Sequence, residues 1–198
     1  MSILYYIMEP HIAPNDKNVF YKYLDQSAHY FEYGSGGSTY QASIRTNIKT
    51  IHSVESDLEW YNKLIQLIKT NENVNIIFNE MDARPNTWGN PGPNSTINQQ
   101  IAYSDQIVML DKTLSNQLDF ILIDGRFRVA CCLKCFDVIN DKCFIAFDDF
   151  LDRPHYHVVL DYYDMVEQTQ DNRLVILKKK NDKCPPKELI EKYEKIPA

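Results

Sequence analysis

Residues 27–56 read SAHYFEYGSGGSTYQASIRTNIKTIHSVES, with a cluster of glycines between two apolar runs. The first run, Ser27 to Tyr33, is short and aromatic-rich and stops at Gly34, which predicts a strand. Ser38 to Arg45 suits a short helix, and Thr50 to Glu55 alternates apolar and polar residues like a second strand. The rhythm continues outward. Asp57 stands in N-cap position before a helical stripe of Leu58, Trp60, Tyr61, Leu64, Ile65, Leu67 and Ile68. Val74 to Phe78, Phe120 to Ile123, Cys143 to Phe147 and Arg173 to Lys178 read as strands, with helices expected over Gln99–Leu114 and Arg126–Val138. A short exposed helix is expected from Pro186 to Lys195. Between Arg84 and Asn98, three Pro, two Gly and four Asn exclude any regular element and predict a long loop.

Alternating strands and helices, with strands that are apolar throughout, predict a parallel sheet covered on both faces. With 198 residues and 44% hydrophobic side chains, the chain is sized for one packed domain rather than a disulfide scaffold. A net charge of −6 gives no basic field to attract nucleic acid or an anionic membrane. The five Cys show no metal-finger spacing, and Cys131, Cys132 and Cys135 fall mid-helix, where they read as core residues. The apolar run from Ile3 to Met8 lacks a basic flank and the length of a span or leader, so a cytoplasmic protein is expected.

In such sheets ligands sit beyond the carboxyl ends of the strands. The residues there are Glu32 and Gly34, Glu55, Glu80 and Asp82, Asp124, and Asp148 with Asp149. Glycines let a ligand approach the backbone, and the amides of the following helix offer an anion site. Glu55, at the end of the second strand, is placed to accept the hydroxyls of a ribose, so an adenosine-containing cofactor is expected. Thr39 stands where a dinucleotide fingerprint wants its third glycine, and there is no G-K-[ST] for a triphosphate. Glu32 beside the loop favours a cationic ligand, and S-adenosylmethionine fits that mixture. A nicotinamide-dependent oxidoreductase is the rival enzyme, and a nucleoside-binding or partner subunit without turnover is the non-enzymatic rival.

At these residues the sequence resembles the class I S-adenosylmethionine-dependent methyltransferases. EYGSGGST is similar to that family's E-x-G-x-G motif, and SVES, NEMDA, DFILIDGR and FIAFDDF follow it, covering about Ser27 to Lys178. The resemblance implies a three-layer αβα Rossmann-like fold with seven strands, mostly parallel, the last antiparallel. It implies a single domain over residues 1–198, with an N-terminal cap segment (1–26), a core (27–180) and a basic tail (181–198). It places Glu32 and the backbone of Gly34, Ser35 and Gly36 at the methionine end of the cofactor, with Ser38 and Thr39. Glu55 and Ser56 would meet the ribose, Asp82 and Ala83 the adenine, and Asp124 the cofactor as well.

Asp124, Asp148 and Asp149 follow two strands that should be neighbours, and three converging carboxylates suit Mg²⁺, Mn²⁺ or Ca²⁺. The alternative is that Asp148 or Asp149 caps the next segment while Asp124 touches the cofactor. The pattern resembles the metal-dependent O-methyltransferases, including sugar-modifying ones, which implies Mg²⁺ on these three acids and a sugar or nucleotide-sugar hydroxyl as acceptor. Sugar enzymes of this type carry D-G-D, but Arg126 follows Asp124-Gly125 here, and Phe127 stands where catechol enzymes offer a Lys. The general base therefore does not carry over, and Asp124, Asp149 and His155 are the catalytic candidates. Arg126, Arg128 and Arg153, with Trp88 in the long loop, are the candidate contacts to an anionic acceptor.

Overall fold

The computed structural model describes residues 8–68, 71–84, 87–170, 173–180 and 183–197. The apolar run Ile3–Ile7 lies outside them. Seven strands form one sheet in the order β3-β2-β1-β4-β5-β7-β6. They are β1 (His29–Tyr33), β2 (Thr50–Glu55), β3 (Val74–Phe78), β4 (Phe120–Ile123), β5 (Phe144–Phe147), β6 (Tyr163–Gln168) and β7 (Val175–Lys179). The first five are parallel to their neighbours, and β7 runs antiparallel between β5 and β6. The expected three-layer architecture with an antiparallel last strand is present.

Period-two alternation explains the layers. Phe31, Tyr33, Ile121, Ile123, Ile145, Phe147, Val175 and Leu177 point to one face. Tyr30, Phe120, Leu122, Ala146 and Ile176 point to the other. The first face packs against α4 (Ile97–Asp105), α6 (Arg128–Cys135) and α7 (Lys187–Tyr193). The second carries α1 (Pro14–Leu24) and α2 (Gly37–Ser43), while α3 (Leu58–Ile68) buries Leu64 and Ile68 at the β3 end. Cys131, Cys132 and Cys135 are buried on α6 as core residues.

Three segments differ from the sequence reading. The helix expected over Gln99–Leu114 is two pieces, because Thr96 starts α4 as a capping box with Gln99 and Asp111 caps a separate α5 (Lys112–Ser115). β6 is an edge strand with four exposed residues and a bulge between Met165 and Glu167, so it lacks the apolar signal of a buried strand. The C-terminal helix is docked rather than free. Tyr193 and Glu194 are buried, Glu194 pairs with Lys134 at 2.5 Å, and the Pro197 carbonyl accepts from the Phe127 amide.

Candidate active site

The strand register aligns the chemistry along one edge. Tyr33 pairs with Val54 and with Ile123, Ile123 with Phe147, and Glu55 with Phe78. The next residues on β2, β1, β4 and β5 therefore form a row of Glu55, Gly34, Asp124 and Asp148, with Asn79 one step beyond and donating its amide to the Glu55 carbonyl. Glu80 and Asp82 lie beyond Asn79 and are exposed. Asp82 accepts from the Asn94 amide, which closes the base of the Arg84–Asn98 loop.

The glycine loop is braced from behind. Glu32 is fully buried, and its oxygens accept from Tyr30 (2.8 Å), Ser53 (2.7 Å) and Thr39. Thr39 in turn accepts from the Gly36 amide at 2.8 Å. A glycine at position 39 would break this relay, which is why the dinucleotide pattern fails there. The structure thus places Glu32 as the anchor of the loop, with hydroxyls around both oxygens. Ser35 bonds Ser53 at 2.5 Å, and its carbonyl accepts from Trp60 Nε1 at 2.8 Å. Gly34 has φ of +93°, and a Cβ there would meet the Gly125 nitrogen at 2.8 Å. Only glycine lets β1 and β4 meet so closely.

Glu55 is buried beside this loop. Its Oε1 accepts from the amides of Ser56 (2.6 Å) and Asp57 (2.7 Å), and burial pushes its carboxyl up to about 7. The Ser56 hydroxyl bonds the Gly89 carbonyl at 3.2 Å, so the long loop reaches over the Glu55 end of the row. Ala83 lies half-buried at the start of that loop. Trp88, at its tip, is 70% exposed and rests on the His11 ring with centroids 5.0 Å apart.

Two expectations rest on the acid cluster. Asp124, Asp148 and Asp149 converge, but the guanidinium of Arg128 lies among them. Its Nη2 is 2.9 Å from Asp124 Oδ1, and its Nη1 is 3.7 Å from Asp148 Oδ2 and 3.4 Å from Asp149 Oδ2. Nε and both Nη atoms also donate to the carbonyls of Gly125, Asp148 and Asp124. This side chain is 4% exposed, so a positive charge from the protein itself stands among the acids. Among the described residues no group of three or more His, Cys, Asp or Glu is arranged to hold a metal ion.

Asp149 is gripped further by Arg153 at 2.7 Å and by Arg173. The arginines outweigh burial and hold its carboxyl below the usual range, making it a poor base. Arg153 is correspondingly spent on Asp149 and on Tyr156, whose hydroxyl it reaches at 2.9 Å. His155 is exposed on a 3₁₀ helix (Pro154–Asp161), against the Tyr156 ring. Asp148 differs, and nothing in the residue pattern separates it from Asp149. Burial, with Asp124 close by, pushes it up to about 8, and its buried Oδ1 has no hydrogen-bond partner. Burial also raises Asp124. Three residues that carry this geometry were missed: Tyr103, whose hydroxyl accepts from the Arg126 amide at 3.3 Å; Asn90, which bonds Arg126; and Arg173.

Backbone strain gathers here too. Asp82, Trp88, Phe127 and Asp149 have φ between +48° and +57°, all on segments that follow β3, β4 or β5. A shallow groove lined by Tyr40, Ile44, Leu67, Ile68, Asn71 and Asn73 lies at the amino ends of the strands, away from this row.

No family model and no curated protein matches the sequence. Solved structures do. A methyltransferase-like protein from Silicibacter pomeroyi DSS-3 aligns with a TM-score of 0.80 at 25% identity, covering 96% of this chain and 100% of that one. A protein described as an O-methyltransferase from Klebsiella pneumoniae gives 0.53 at 12% identity, over 87% of this chain and 83% of its own. The N-methyltransferase NodS from Bradyrhizobium japonicum gives 0.52 at 9% identity, over 83% and 93%. At such identities the last two speak for the fold alone, and their descriptions differ in the atom methylated. The chain has the class I methyltransferase fold across nearly its whole described length.

Proposed function

We propose that this chain is an S-adenosylmethionine-dependent methyltransferase acting on an oxygen of a small acceptor. The observation that carries the reading is the braced glycine loop beside Glu55, whose Oε1 is pinned by two amides while no described residue bonds Oε2. In this reading the backbone of Gly34, Ser35 and Gly36 cradles the methionine end, steadied by Ser38, Thr39 and Glu32. Glu55 and Ser56 take the ribose, Asp82 and Ala83 flank the adenine, and Asp124 faces the cofactor. The donor set suits a cation. Glu55 and Asp148 are buried acids whose carboxyls burial pushes up, Asp124 beside them is half-buried and raised as well, and a nearby positive charge offsets what their ionisation costs.

When bound, the cofactor supplies an electrophilic methyl group, so the chain needs to align the acceptor and remove a proton. Asp148 is our choice for that proton, because its Oδ1 is unbonded and it exchanges protons near neutral pH. Arg128 holds the acids in place, so transfer is expected without a divalent cation. A sugar or nucleotide-sugar hydroxyl is the first acceptor to test. Thermal-shift measurements with S-adenosylmethionine, S-adenosylhomocysteine, NAD and NADP test the cofactor. Stabilisation by the first two is expected, and stabilisation by NAD alone would replace this reading with an oxidoreductase. Transfer over a sugar and nucleotide-sugar panel should then survive EDTA. Cofactor binding with no transfer to any member would favour a subunit without turnover.

A further inference from the structure

Four arginines gather beyond β4 and β5, and three are spent on acids. Arg128 holds Asp124, Asp148 and Asp149, while Arg153 and Arg173 grip Asp149. Arg126 is different. Its Nη1 donates to a neutral group, Asn90 Oδ1, at 3.1 Å. Its Nε is buried without a hydrogen-bond partner, and among the described residues it forms no ion pair. Burial and the charge of Arg128 disfavour its protonated form, and Asp124, already paired with Arg128, attracts it only at longer range.

The placement is also fixed. The Arg126 amide bonds Tyr103, and the next residue, Phe127, is left-handed and tied to the Pro197 carbonyl. Asn90, on the long loop, holds Nη1 and leaves Nε without a partner. A half-buried guanidinium without an anion is costly, and its unpartnered Nε suits an oxygen of an oxyanion. The residue stands two positions past Asp124, in the row where the cofactor and acceptor would meet.

Resting on the methyltransferase reading, we infer that Arg126 binds an anionic group of the acceptor, a carboxylate or a phosphate. The acceptor is thus an oxyanion-bearing small molecule, not a neutral one. Binding of inorganic phosphate and of acetate to the S-adenosylhomocysteine-saturated protein is measured by calorimetry at constant ionic strength. Wild type, Arg126→Gln and Arg126→Lys are compared, with melting temperature and circular dichroism as folding controls. Saturable binding of one anion to wild type is expected, weakened about tenfold in R126Q and by less in R126K, which keeps the charge but not the fork. Homocysteine-cofactor affinity should stay within about twofold. Equal anion binding by all three proteins would mean an adventitious ion only, and overturns the inference. It is also overturned if R126Q weakens S-adenosylhomocysteine but not 5′-methylthioadenosine, since Arg126 would then hold the cofactor's own carboxylate. If wild type binds no S-adenosylhomocysteine, the methyltransferase reading itself fails, and the same anion titration on unloaded protein still decides whether Arg126 is an anion receptor.

Discussion

Glu55 sets a pH dependence whose size can be worked out in advance. Burial raises its carboxyl to about 7, because desolvation outweighs the two amides on Oε1. Ribose hydroxyls donate most strongly to the ionised carboxylate, so binding should pull its proton off. With that midpoint, the ionised fraction rises from roughly one-tenth at about pH 6 to roughly nine-tenths at about pH 8. If only the ionised form binds, nucleoside affinity should rise about tenfold over that span, or about 1.4 kcal/mol. The cleanest probe is 5′-methylthioadenosine, which lacks the titrating amino acid and reads the nucleoside end alone. Calorimetry at several pH values should show the rise in wild type, with proton release on binding near neutral pH. Glu55→Gln should bind more weakly and with a flat profile. A flat profile in wild type, or an equal slope in E55Q, would refute the assignment of Glu55 to the ribose.

Other outcomes follow from the same row of residues. Burial favours protonated Asp148 in the folded state, so its contribution to stability is full below about pH 4 and is lost as pH rises to about 8. Asp148→Asn should therefore be more stable than wild type by about 1–3 kcal/mol near pH 7.5 in urea titrations, while slowing methyl transfer. Arg128→Met should cost about 3–5 kcal/mol by leaving buried acids unpaired, and Mn²⁺ should raise its melting temperature while leaving wild type unmoved. Gly34→Ala should cost about 2–4 kcal/mol and weaken S-adenosylhomocysteine binding, since a Cβ at φ of +93° strikes the Gly125 backbone. Cofactor affinity equal to that of wild type in this variant would remove the loop from the cofactor site.

The buried strands were legible because both of their faces are apolar, as in FILI and CFIAF, and the βα turns because glycines and acids punctuate them. β6 was not, since an exposed, bulged edge strand carries no such pattern. The α1 helix was hidden for a related reason. Only Asp16, Phe20 and Leu24 are buried along it, too sparse a stripe to read. At the site, the residue types and their row were readable, but their pairing was not. Three aspartates after β4 and β5 look like a metal site until Arg128, four residues past Asp124, folds back among them. An acid pair in sequence, Asp148 and Asp149, separates in chemistry because burial and Asp124 raise the first while Arg153 and Arg173 grip the second. Thr39 looked like a missing glycine and is the link between Glu32 and the loop.

The central claim is that the loop from Gly34 to Gly36 and Glu55 hold S-adenosylmethionine. A crystal structure of the protein grown with S-adenosylhomocysteine tests it most directly. The nucleoside hydroxyls are expected on Glu55 and the amino-acid end against the glycine loop, with Arg128 still among the three aspartates. Density for the ligand elsewhere, or a saturated crystal with this row empty, would contradict it.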